Sequence, residues 1–299
     1  MRRSLTSSWS PARSHSTVTF LCSTNTPVLM APKINPVIYQ AVNVIAVLAT
    51  FIFNILVNVL PLNGVNTGQV SDSYPSLFTP QGYVFAIWGA IYTLQIIFMV
   101  YQVRASQRKE SYLGQISFLY LLAGLVNILW LVNFHYSYGV PSLFIVTPLP
   151  IALLLVVLLL TYVRLGIGKK EVSRNQKLAV HLPVSVYVGW ISLANIADIA
   201  PTLNILIPGI PLDTQALWTA LVVIVALLIT LLMLILRRDF AFGLVVIWAT
   251  IGIALKQIAI PVIFATALAT AIIIAISIVV LPFLRKSRFV AYYMVRPGH

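Results

Sequence analysis

The stretch Pro80–Gln95, PQGYVFAIWGAIYTLQ, decides how this chain reads. A proline and a glycine open it, and an apolar run follows. Trp88 and Tyr92 stand four residues apart in that run. That spacing puts both on one face of a helix. A helix that faced only lipid would not need two hydrogen-bonding rings on one side.

The composition around this stretch excludes a water-soluble fold. Of 299 residues, 60% are hydrophobic and 8% are charged. A soluble domain carries about 25% charged residues. The mean hydropathy is +0.97. The apolar runs are close to the ~20 residues a helix needs to cross a bilayer. They lack the alternation of an outer-membrane barrel.

Eight such runs predict spans at 37–60, 82–103, 113–135, 141–163, 178–200, 213–236, 240–258 and 261–283. The connections test that count. Basic residues gather in 104–112, 164–177, 237–239 and the tail. The connections 61–81, 136–140 and 201–212 hold no Lys or Arg, and the turn near Ala259 has only Lys256 beside it. The alternation is unbroken, so the positive-inside rule places both termini in the cytoplasm. The expected fold is an all-α polytopic membrane bundle of eight transmembrane helices. The loop 61–81, rich in Pro and Gly, is the longest connection between spans and reads as a non-cytoplasmic lid.

The net charge of +13 sits in those short clusters. It reads as a topology signal and not as a nucleic-acid surface. The single cysteine, Cys22, leaves no internal disulfide and no cysteine metal site. Residues 1–36 form a tail. Its first 29 residues have a transit-peptide-like composition, or they are a disordered tail or an over-long start ahead of a true beginning at Met30, and the second reading is preferred.

The spans are nearly free of charge, which excludes voltage sensing and a deep proton relay. Asp198 falls at the non-cytoplasmic end of the fifth span, either solvated at the interface or lining a pocket mouth. His135 ends the third span and reads as an interfacial histidine. Neutral polar groups say more. Asn127 and Trp130 lie one turn apart, and Tyr187, Trp190, Ala194 and Asp198 fall on the fifth span. Asn residues in spans commonly tie helices together. No nucleophile–base pair and no metal-spaced motif is visible, so the chain does not read as an enzyme.

Three of these patches resemble the tryptophan-rich sensory protein, or translocator protein (TspO/MBR, peripheral benzodiazepine receptor), family. The second span of that family reads P-x-W-V-F-G-P-V-W-x3-Y. Pro80, Trp88 and Tyr92 match its proline, second tryptophan and tyrosine, while Gly82 and Ala86 replace the first tryptophan and inner proline. The third-span pattern L-N-x-x-W is matched by Val126, Asn127 and Trp130. The fifth-span pattern Y-x-x-W-x3-A-x3-N is matched by Tyr187, Trp190 and Ala194, with Asp198 in place of the asparagine.

The motifs cover residues 37–200, which would form a five-helix domain. Residues 201–283 would add three spans as an extended branch, and 284–299 a basic cytoplasmic tail. The resemblance implies a pocket between the first, second and fifth spans, closed by the loop 61–81. Its lining would include Pro80, Trp88, Tyr92, Asn127, Trp130, Tyr187, Trp190, Ala194 and Asp198. It would hold a hydrophobic ligand such as a tetrapyrrole or a sterol-like molecule. No resident cofactor is expected beyond a bound porphyrin or haem-like ligand. The expected partners are the lipid bilayer, that small molecule and, as an open alternative, a second copy in a homodimer. The membrane would be the plasma membrane in a prokaryote and an organelle membrane in a eukaryote. A secondary transporter of another small molecule and an enzyme acting on porphyrin-like substrates are the alternative functions.

Overall fold

A computed structural model describes residues 34–60 and 62–294. The chain divides into two units, Met1–Ile34 and Asn35–His299. All but Ile34 of the first unit lies outside the described residues, including the transit-peptide-like stretch and Met30. The second unit is described here.

The described residues are helical and contain no strand. In chain order the helices are α1 (Pro36–Val59), α2 (Thr67–Ser73), α3 (Ile87–Gln102), α4 (Tyr112–Ile116), α5 (Leu119–Tyr136), α6 (Pro141–Phe144) and α7 (Pro148–Leu165). After them come α8 (Arg174–Gln176), α9 (Leu182–Leu206), α10 (Leu212–Leu232), α11 (Phe240–Lys256) and α12 (Pro261–Met294). Among the described residues, seven stretches are long and apolar enough to cross a membrane. The expected span at 240–258 is α11, an apolar helix of 17 residues. At 1.5 Å per residue it is about 25 Å long, shorter than a ~30 Å hydrocarbon core.

Local chemistry sets the ends of these helices. Asn35 accepts from the Val37 amide at 3.0 Å and Pro36 begins α1. Asn66 and Gln69 bond reciprocally at the start of α2, which satisfies two otherwise orphan amides. The lid therefore holds a capped helix as well as irregular chain. Ser117 adopts a positive φ of 50° and separates α4 from α5, so the third span starts at Leu119. Asp239 caps α11 by accepting from the Phe242 amide at 3.1 Å. Gly168 is required where it stands, because a Cβ there would lie 1.9 Å from the Arg237 carbonyl oxygen.

Helix α9 is the centre of the bundle. In an 18-residue apolar window of its span 72% of residues are buried, against 28–50% in the matching windows of the other six. It packs on α7, α3 and α11. That explains why α9 tolerates Asn195 and Asp198, since neither faces lipid. The outer helices instead expose Leu125, Leu149, Leu221, Leu236 and Leu244. α1 lies along α5, while α10 and α11 pack on α12. The five N-terminal long helices and the three later ones thus share one compact unit.

Candidate ligand pocket

The Pro80–Gln95 stretch begins as a tight 3-10 turn, Gly82–Ala86, and continues as α3. This geometry points Trp88 into the bundle, where it touches four rings. Trp88 stacks on Trp130 at 6.0 Å and on Tyr92 at 5.7 Å. It meets Trp190 and Tyr187 edge-on at 6.1 Å and 6.2 Å. Aromatic pairs favour these offset and edge-to-face arrangements.

Around Trp88 lies an outer pocket with about 610 Å³ of atom-free space, open solvent at its mouth included. Of the residues singled out in the sequence, Pro80, Trp88, Trp130, Trp190, Ala194 and Asp198 line it. Asp198 is buried, not solvated. Its Oδ2 accepts from the Trp130 indole N–H at 2.8 Å. The indole N–H of Trp190 is buried without an acceptor. His135 also differs from its interfacial reading. It is fully buried, with Nδ1 2.8 Å from the Leu131 carbonyl.

Tyr92 and Tyr187 line a second, inner cavity with about 440 Å³ of atom-free space, open solvent included. Helices α1, α3, α5, α7 and α9 all contribute to it. The hydroxyls of Tyr92, Tyr120 and Tyr187 and the Gln95 Oε1 are buried there without a hydrogen-bond partner. Tyr120 faces Gln95 and Tyr187 faces Asn127. Asn127 lines neither cavity. Its Oδ1 accepts from the Asn54 amide at 3.0 Å and ties α5 to α1.

The lid is pinned on three sides. The Tyr74 hydroxyl donates to the Ser137 carbonyl, and Asn63 donates to the His135 carbonyl at 3.1 Å. Asn204 on α9 donates to the Pro75 carbonyl at 3.3 Å. Lys256 at the end of α11 pairs with Asp72 at 3.3 Å.

Sequence reasoning missed the part played by α11. Its residues Ala249 and Ile253 form part of the outer wall. Trp248 donates to the Val84 carbonyl at 3.0 Å, and Gly252 accepts from the Gln81 amide at 3.2 Å. Phe134 and Phe144 were also missed as lining residues. The i+4 spacing of Phe134 from Trp130 was the available signal for the first. Among the described residues no cluster of His, Cys, Asp or Glu can hold a metal ion.

The profile of the TSPO-like protein family matches residues 40–280. The chain belongs to that family. The match runs past the five-helix portion through α10 and α11 and into α12. It makes the apolar bundle that of a TSPO-like, multi-pass integral membrane protein. No curated protein and no solved structure matches the chain.

Proposed function

We propose that this TSPO-like protein binds a flat, hydrophobic ligand in the outer pocket, within the class that holds tetrapyrroles and sterol-like molecules. One observation carries the reading. Trp88, Trp130 and Trp190 come from three helices and converge on one pocket beneath a pinned lid. Ring faces supply apolar walls, and the free Trp190 N–H supplies a polar handle. Asp198 is the only titratable side chain among the lining residues. Binding is therefore a better reading than acid–base or nucleophilic catalysis, which needs paired groups.

The test is tryptophan fluorescence of detergent-purified protein titrated with etioporphyrin I, a tetrapyrrole that carries no carboxylate. Saturable quenching at low micromolar ligand is expected. Quenching no different from that of a Trp88→Phe, Trp190→Phe double variant would defeat the reading.

Passage of the ligand through the bundle is a second reading, favoured by the two cavities on either side of the Trp88–Tyr92 stack. Uptake into reconstituted vesicles separates it from simple binding.

We also propose eight spans with both termini cytoplasmic. Supporting this, α11 begins beside the basic connection, where Arg237 donates to the Ile167 carbonyl at 3.1 Å. It ends beside the lid, where Lys256 meets Asp72. The short helix thus runs between the same two ends as its longer neighbours.

A further inference from the structure

The outer pocket holds one acidic side chain among its described lining residues. Asp198 lies in its wall and is 5% exposed. None of the described lining residues is Lys, Arg or His. Lys256, beside Pro80, is engaged by Asp72 at 3.3 Å and by the Pro80 carbonyl at 3.4 Å. A carboxylate held away from water without a cation is costly. A ligand that brings its own cation removes that cost. A ligand that brings a carboxylate adds like-charge repulsion.

The rest of the lining points the same way. Phe85, Trp88, Trp130, Phe134, Phe144 and Trp190 all face the pocket. The rings of Trp88 and Trp190 stand at 83° to one another, and those of Trp88 and Trp130 at 28°. Together they offer ring faces along more than one direction. Such faces attract an ammonium group, by ~2 kcal/mol when it is desolvated.

We infer that the ligand of the outer pocket is a hydrophobic amine: an apolar or aromatic body carrying an ammonium group that pairs with Asp198. This rests on the ligand-pocket reading above and narrows it. The body lies among the indoles, the ammonium group faces Asp198, and the Trp190 N–H takes an acceptor on the ligand.

The experiment compares three probes with one body: 1-naphthylmethylamine, 1-naphthylmethanol and 1-naphthoic acid. Each is titrated calorimetrically into the detergent-purified full chain and into Asp198→Asn. The amine should bind the wild type about tenfold tighter than the alcohol, equivalent to ~1.4 kcal/mol, with the acid weakest. In Asp198→Asn the advantage of the amine over the alcohol should be lost. Equal binding of amine and alcohol to the wild type overturns the inference and leaves the pocket standing. So does an amine advantage that survives in Asp198→Asn. Binding of none of the three overturns the pocket reading itself. The wild-type comparison decides the matter even if the variant does not fold.

Discussion

The indole N–H of Trp130 donates to the Asp198 carboxyl group across 2.8 Å, joining α5 to α9 inside the outer pocket. An asparagine at 198 keeps an acceptor oxygen there. An alanine does not, and leaves a buried N–H unsatisfied at a cost of ~1–3 kcal/mol. Asp198→Ala should therefore melt clearly below wild type in detergent, and Asp198→Asn close to it. Equal melting temperatures for the two variants would show that the bond carries little stability.

Gly252 sits against the start of α3. A Cβ at this position would lie 2.2 Å from Val84 Cγ2 and 3.3 Å from Pro80 Cβ. Gly252→Ala should push α11 off the pocket wall and cost ~1–3 kcal/mol, as overpacking does. Gly89, within α3, has nothing within 4 Å of its Cβ position. Gly89→Ala serves as the control and should be neutral or slightly stabilising. Thermal unfolding of both variants gives the comparison.

The lid should respond to high pH through Tyr74. Burial raises this phenol above its ordinary value, and its hydroxyl donates to the Ser137 carbonyl. A folded-state value above the unfolded one means the contribution is fully present below about pH 10. It is lost as the pH rises through the folded value. Tyr74→Phe should cost ~0.5–1.5 kcal/mol at neutral pH, and the gap from wild type should shrink at strongly alkaline pH. A gap independent of pH, read from melting temperatures, would argue against the hydroxyl as its cause.

Topology is open to cysteine labelling in a Cys22→Ser background. Ser73 and Lys170 are both exposed, in the lid and in the basic connection. Single cysteines at 73 and 170 should react with an impermeant maleimide from opposite sides of sealed vesicles. A cysteine at the exposed Ala259 should react from the same side as 73 if α11 spans. Labelling of 259 from the side of 170 would make α11 a non-spanning helix.

Much of the fold was readable because long apolar runs and short basic connections are strong signals in a bilayer. The structural spans fall close to the apolar runs, and the semi-polar patch on the fifth marked a helix shielded from lipid. The site was readable in part. Trp88 and Tyr92 do share a helix face, but one turn sets Tyr92 about 6 Å deeper along α3, in the inner cavity. Asn127 went with the helix-tying role of intramembrane asparagines, through Asn54. Ala249 and Ile253 were illegible as pocket residues. They are ordinary apolar side chains, and only the packing of α11 on α9 brings them to the site.

The seam between α11 and the start of α3 has a thermodynamic consequence. The outer pocket belongs to both sides of that seam, with Pro80 and Trp88 on one and Ala249 and Ile253 on the other. A molecule filling it touches both sides, so occupancy and closure of the seam are linked. Whatever tightens the seam raises affinity, and the ligand tightens the seam by the same free energy. On the binding reading proposed above, α11 thereby becomes part of the binding equilibrium itself.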